Sequence, residues 1–157
     1  MAIHVALFEP QIPANTGNIA RTCAGTGVKL HLIKPLGFST EDKMLKRAGL
    51  DYWQHVDVTY HDGIRQFIDA YPEGKFYFIT KFGQKSYASF DYSNSEEDIF
   101  FVFGKETKGL PDEILAEYEE NCLRVPMNDN IRALNLSNTA AVLVYEALRQ
   151  QSFNGLK

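Results

Sequence analysis

Several common signatures of chemistry are missing from this 157-residue chain. It has two cysteines, Cys23 and Cys122, far apart and not in a metal-type pair, so neither a zinc site nor a disulfide framework is expected. Its four histidines, His4, His31, His55 and His61, show no ligand spacing and read as core or surface residues. No nucleophile elbow of the G-x-S-x-G kind is present, and no credible Cys–His pair. Neither dinucleotide nor phosphate-loop glycine patterns occur. No apolar run approaches the roughly 20 residues that cross a bilayer. The opening MAIHVALFEP lacks the basic start and long apolar core of an export signal and reads as a first strand. With two cysteines expected to be reduced and buried, the expected location is cytoplasmic. What remains is chemistry by positioning and electrostatics.

Neither sign of charge dominates, with 20 acids against 16 bases. The net charge of −4 argues against a general nucleic-acid coat protein. The distribution is uneven, however. Residues 1–50 carry six bases (Arg21, Lys29, Lys34, Lys43, Lys46, Arg47) against three acids, and residues 112–120 carry five acids and no base. A local basic surface on an acidic protein is compatible with this pattern, and so is a mixed solvated surface.

The length fits a single domain, residues 1–157. Short apolar runs at residues 3–8, 29–33, 56–60, 75–80, 98–103 and 122–125 read as strands. Helical patterns lie between them. One covers about 16–25, with Asn15 as its cap and Gly27 as its stop. A short basic one starts at Ser39 or Thr40 and ends near Lys43, Lys46 and Arg47. A third opens at Asp62-Gly63 and repeats Ile64, Phe67, Ile68 and Tyr71. An acidic one spans 112–118. Residues 82–97 are mostly polar and read as loop with at most a short edge strand. Strands alternating with helices imply an α/β fold, a mainly parallel sheet with helices on both faces. Ligands in such sheets bind beyond the carboxyl ends of the strands. Three polar loops leave strands there, at residues 9–15, 104–109 and 127–135.

The third of these loops leads into a helix expected to start near Ser137. Val142, Leu143, Val144 and Tyr145 are consecutive, so this helix reads as buried on more than one face. A polar loop anchored to a buried element is a rigid ligand platform, or simply the lead-in to a capped core helix. The loop GKETKG at 104–109 has glycines for a sharp turn, and Glu106 is placed to orient a cation or bond a neighbouring loop. Arg21, on the polar side of the first helix, has the fork that clamps a phosphate; it is equally an ordinary surface arginine.

Taken together, Asn15-Thr16-Gly17-Asn18-Ile19-Ala20-Arg21, Phe103-Gly104-Lys105-Glu106-Thr107-Lys108-Gly109-Leu110-Pro111, and Val125-Pro126-Met127 followed by Leu134-Asn135-Leu136-Ser137-Asn138 resemble the three motifs of the SPOUT-class RNA 2′-O-methyltransferases. The opening FEPQIPANTGNIART and the stretch RAGLDYW at 47–53 look most like the branch of that class that methylates the wobble nucleotide, cytidine or uridine, of bacterial tRNA. The resemblance covers residues 3–150. It implies a C-terminal trefoil knot, a homodimer, tRNA as substrate, S-adenosylmethionine bound in the knot loops, and no metal, membrane or DNA. Matched position by position, it implies cofactor contacts at Ile79, Thr80, Gly104, Val125, Ala133, Leu134 and Asn135, largely through backbone. It implies a catalytic set of Arg21, Asn15, Glu106, Asn135 and Ser137, with Asn138 helping to order the loops. Arg21 and Arg132 become RNA contacts. Ala133 stands where many relatives have Ser, so a hydroxyl is absent or replaced. Arg21 would act across the dimer interface, with Val142, Val144 and Tyr145 against the partner.

The implied reaction aligns the ribose 2′-oxygen with an already activated methyl group, which is catalysis by orientation. Arginine stays protonated, so Arg21 is expected to hold the adjacent phosphate and stabilise the developing alkoxide rather than act as a free base. Three other readings remain at this stage: methylation of another tRNA or rRNA site, a non-catalytic RNA-binding module, and a small enzyme acting on a free nucleotide.

Overall fold

A computed structural model describes residues 1–39 and 52–157. The expected basic helix after Ser39, and the 47–51 part of RAGLDYW, lie outside the described residues. Seven strands form one sheet: β1 (Ile3–Phe8), β2 (Lys29–Ile33), β3 (Val58–His61), β4 (Lys75–Ile79), β5 (Lys85–Ser86), β6 (Ile99–Phe103) and β7 (Cys122–Arg124). Their order across the sheet is β3-β2-β1-β6-β4-β7-β5, and every pairing is parallel. The α-helices described in full are α1 (Pro13–Thr26), α2 (Ile64–Asp69), α3 (Asp112–Glu117) and α4 (Leu136–Gln150).

Alternate residues of each strand feed opposite faces, so the sheet has two cores. Val5 and Leu7 of β1, Leu30 and Leu32 of β2, and Phe101 and Phe103 of β6 pack with Ile19, Ala20 and Cys23 of α1 and with Leu143, Val144 and Ala147 of α4. Ala6, Phe8, Phe76, Phe78, Phe100 and Val102 pack on the other face with Phe67 and Ile68 of α2 and Ile114 of α3. Strands β1 and β6 are buried along their whole length, as the near-continuous apolar runs of a centrally placed parallel strand require.

Several element ends differ from the sequence expectation. Helix α1 starts at Pro13, with Ile12 as an N-cap that supplies no side-chain bond. Proline at the first helical position lacks only an N–H that would be unpaired there anyway, so it can open the helix. Asn15 is therefore not the cap; its side chain is used elsewhere. Gly27 ends α1 in the left-handed region, φ 76°, where glycine carries no penalty. Helix α4 is capped two residues before Ser137, by Asn135, whose side chain accepts from the amides of Ser137 and Asn138. Nor is α4 buried on several faces: Ala140, Leu143, Val144, Ala147 and Leu148 are buried, while Val142 and Tyr145 are 37% and 49% exposed. Val144 belongs to this chain's own core and is not free to face a partner. Strand β3 spans Val58–His61 rather than 56–60, and Tyr71 falls beyond the end of α2.

The segment 82–97 contains the short edge strand β5 and then crosses back towards the start of β6. It is held against the end of α4. Gln150 accepts from the Tyr92 amide at 2.6 Å and donates to the Phe90 carbonyl, while Gln151 donates to the Tyr92 carbonyl. The Tyr92 ring is fully buried and its hydroxyl donates to the Tyr87 carbonyl. At Gly83 the chain passes so close to Leu123 that a β-carbon would lie 2.6 Å from its carbonyl carbon.

Candidate active site

The three polar loops expected at the carboxyl edge meet there, through one carboxylate and two amides. Glu106 leaves β6 in the 104–109 loop and reaches the 9–15 loop that leaves β1. One of its oxygens accepts from the Gln11 amide at 2.9 Å; the other accepts from the Ile12 amide at 2.9 Å and from Asn15 Nδ2 at 3.3 Å. Asn15 Oδ1 then accepts from Asn135 Nδ2 at 3.1 Å. Asn135 Oδ1 in turn accepts from the Ser137 amide at 2.9 Å and from the Ser137 hydroxyl at 2.5 Å. Asn138 completes this cap with its amide, 3.3 Å from the same oxygen. The chain of bonds Glu106–Asn15–Asn135–Ser137 thus ties together loops far apart in sequence.

Two further contacts brace the first pair of loops. Lys105 Nζ lies 3.0 Å from Glu9 Oε1 in a partly buried ion pair. Gln11 Oε1 accepts from both the amide and the hydroxyl of Thr107. The 104–109 loop closes on itself through mutual backbone bonds between Lys105 and Gly109. Gly109 sits at φ 69°, and a β-carbon on Gly104 would lie 2.6 Å from the Leu110 nitrogen. Both glycines are required by the backbone, one for its dihedral and one for the close approach.

The residues matched to cofactor contacts lie at the same carboxyl edge. Ile79 ends β4 and Thr80 follows it, Gly104 follows β6, Val125 follows β7, and Ala133, Leu134 and Asn135 lead into α4. The backbone of residues 132–134 makes no hydrogen bond among the described residues, and Ile131 and Leu134 are 48% and 38% exposed. Free amides and carbonyls beside unburied apolar side chains suit a ligand with both an aromatic base and polar edges. S-adenosylmethionine is such a ligand, and the residues present fit it. A separate hollow of about 270 Å³ lies against α3, lined by Thr80, Phe82, Gln84, Leu115, Ala116, Glu119 and Cys122. It shares only Thr80 with the expected contacts and holds none of the clamp. Among the described residues no group of three or more His, Cys, Asp or Glu is arranged to hold a metal ion.

Arg21 and Arg132 are not part of the clamp. Arg21 is exposed on α1, with its guanidinium carbon 4.8 Å from the centre of the Tyr52 ring and no hydrogen bond among the described residues. Arg132 is exposed in the third loop and likewise unbonded there. Both cations are therefore free to take an anion. Sequence reasoning missed the use of Gln11, Lys105 and Thr107 as braces, and it missed Asn135 as the helix cap. An Asn two residues before a Ser in LNLSN was the available signal.

Cys23 is buried and burial pushes its thiol up to about 12, so it is no nucleophile; Cys122 is buried as well.

An all-parallel α/β sheet whose strand-end loops are bound together by Glu106, Asn15 and Asn135 is the architecture of an α/β domain that takes its ligand at the carboxyl edge of the sheet. The chain belongs to the SpoU rRNA methylase family, whose model matches residues 2–145. It is 65% identical over 156 residues, 99% of each chain, to a protein of Geobacillus stearothermophilus provisionally named tRNA (cytidine(34)-2′-O)-methyltransferase. A tRNA (cytidine(34)-2′-O)-methyltransferase of Methylovorus glucosotrophus is 47% identical over 152 residues, 96% of this chain and 97% of its own. A solved structure described as giving insight into the 2-OH methylation of C/U34 on tRNA aligns with TM-score 0.89 and 42% identity, over 98% of both chains.

Proposed function

We propose that this chain methylates the ribose 2′-hydroxyl of the wobble nucleotide, C34 or U34, of tRNA, with S-adenosylmethionine as methyl donor. The observation that carries the reading is the Glu106–Asn15–Asn135 clamp, which unites the three loops at one sheet edge in a chain of this family. Bound there, S-adenosylmethionine supplies a sulfonium-activated methyl group. The chain's own residues supply the rest. Ile79, Thr80, Gly104, Val125, Ala133, Leu134 and Asn135 hold the donor, mainly by backbone and apolar contact. Glu106, Asn15, Asn135 and Ser137 keep the loops at fixed spacing, so orientation is prepaid in folding. Arg21 binds the phosphate next to the target ribose and offers positive charge to the oxygen as its proton leaves. Arg132 adds a second RNA contact. Recognition through a 2′-hydroxyl explains a choice of RNA over DNA.

A homodimer belongs to the same reading. Helices α1 and α4 form one layer, and its outer side carries Arg21 together with the exposed Val142 and Tyr145. A partner packed there would receive Arg21 beside its own clamp, which Arg21 does not reach within one chain. The C-terminal knot is part of the proposal too. It is supported by β7 lying between β4 and β5 and by the 82–97 segment strapped over the end of α4.

The test is transfer of labelled methyl from S-adenosylmethionine to tRNA lacking wobble ribose methylation. Label at nucleotide 34 with the natural chain, lost with Arg21→Ala, is the expected result. Binding of S-adenosylmethionine without label at nucleotide 34 would overturn the substrate assignment.

A further inference from the structure

The proposed reaction leaves one polar feature of the interior unused. On the face of the sheet covered by α2, His4 of β1, His31 of β2 and His61 of β3 form a diagonal row across three neighbouring strands, each two positions along from the last. His4 Nδ1 lies 2.8 Å from His31 Nε2, and His31 Nδ1 lies 2.9 Å from His61 Nε2. At the far end His4 Nε2 lies 3.1 Å from Asp98 Oδ1, which also accepts the Ala2 amide at 3.0 Å. Aromatic rings pack around the row. Phe100 stacks on His4 at 4.0 Å, Phe67 of α2 faces His31 and His61, and Tyr71 touches all three.

The proton positions follow from the Asp98 end. Burial works to raise the Asp98 carboxyl, but the bonds from His4 and from the Ala2 amide outweigh it and hold the group below its ordinary value, so it is ionised. An ionised carboxylate only accepts, so His4 Nε2 carries a proton. Neutral His4 then presents a bare Nδ1, to which His31 Nε2 donates. His31 in turn presents a bare Nδ1 to the Nε2 proton of His61. All three rings are the same tautomer, and the one unshared lone pair of the row is Nδ1 of His61, the least buried of the three rings.

We propose that Asp98–His4–His31–His61 is a proton-binding site that takes up one proton for its three rings and brings the charge to the Asp98 end. A proton adds to His61 Nδ1, the Nε2 proton of His61 passes to His31 Nδ1, and the Nε2 proton of His31 passes to His4 Nδ1. Three N–H bonds form and two break, which balances the single proton taken up. His4 becomes an imidazolium against Asp98, while His31 and His61 are neutral again with reversed tautomers. Every contact of the row is kept. A second proton would set two N–H groups against each other across 2.8 or 2.9 Å, so it enters only by breaking the row. The surrounding charges grade the path. Burial opposes charge on all three rings; beyond that, His4, His61 and Lys29 oppose it on His31, Lys29 opposes it and Asp98 and Asp57 favour it on His4, Asp62 favours it on His61, and the amino terminus acts on Asp98. Burial keeps Tyr71 neutral. The row thus takes a first proton as a unit and loses a ring-to-ring bond when a second one enters.

Nitrogen-15 spectra of the histidine side chains of the full chain, recorded from neutral pH into mild acid, test this. The expected result is three Nε2–H rings at neutral pH and one shared transition. In it His4 becomes doubly protonated while His31 and His61 switch to Nδ1–H. Asp98→Asn keeps an acceptor but removes the charge, and is expected to weaken proton uptake by the row at least tenfold. His61 titrating alone, with His4 and His31 left as Nε2–H, would overturn the proposal, as would an unmoved transition in Asp98→Asn. Should that variant fail to fold, the tautomers of the natural chain decide the matter alone.

Discussion

Glu106 satisfies two backbone amides and one side-chain amide with a single carboxylate, and no neutral residue of its size can do the same. Glu106→Ala is expected to cost about 1–2 kcal/mol in urea unfolding, since hydrogen bonds to a carboxylate are the strong ones, although water can take over the exposed Gln11 and Ile12 amides. Methyl transfer should fall at least tenfold in the same variant. Gly104→Ala is expected to cost about 1–3 kcal/mol by overpacking, because the neighbouring atoms are backbone and cannot swing aside. Arg21→Ala should behave in the opposite way: its unfolding midpoint stays within about 0.5 kcal/mol of the natural chain, as befits an exposed side chain, while label transfer is lost. Calorimetry and the transfer assay on the same samples separate these cases. At this scale the sequence was informative where identity alone suffices. Glu106 could be singled out from its loop, whereas Asn15 read as a helix cap, and Asn15 and Asn135 joined the site only through the family resemblance. Their mutual bonds could not, because the partners are 91 and 120 positions apart and nothing local encodes the meeting.

Among the elements, the central strands were legible because burial on both faces leaves an unbroken apolar run, as in IFFVF of β6. Segment 82–97 was not, because its order comes from the far side of the molecule. Gln150 and Gln151 read as the polar end of a helix, yet they supply the bonds that fix Phe90 and Tyr92. Gln150→Ala is expected to cost about 1–3 kcal/mol, the penalty for a polar group left without its partner, and to speed hydrogen exchange at the Tyr92 amide. Helix α4 shows the converse error. Four consecutive large residues suggested burial all round, but a helix in contact with one sheet buries one stripe and presents the rest. The histidines of β1, β2 and β3 carried no readable signal either, since they meet only after strands 27 and 30 residues apart are laid side by side. Their energetic sign is nonetheless clear. Burial and then the neighbouring histidines hold His31 down to about 3 from 6.5, so the unfolded chain takes up its proton first. The stability from neutral His31 is complete above pH 6.5 and drains away as pH falls from there towards 3. Each unmatched proton contributes a slope of about 1.4 kcal/mol per pH unit. Urea midpoints measured between pH 7.5 and 5 should fall accordingly.

For the molecule as a whole, the proposed dimer gives the exposed side of the α1–α4 layer its purpose. Val142→Asp with Tyr145→Asp places two charges on that side without touching either core. Sedimentation should then report a folded monomer, and methyl transfer should be lost because Arg21 no longer meets a partner's clamp. An unchanged dimer would move the interface elsewhere. The order of the sheet has a further consequence, for synthesis. Strand β1 needs β6 on its inner edge, with Ile3 beside Ile99. At ribosomal rates of about 5–20 residues per second, β1 waits on the order of 5–20 seconds for that neighbour to be made. During that interval β1 can pair only with β2, while its other edge stands bare. The nascent chain therefore passes through a stage in which half a sheet offers an open strand, apolar but for His4, to whatever is nearest. That is the stage at which an early-acting chaperone would find its substrate.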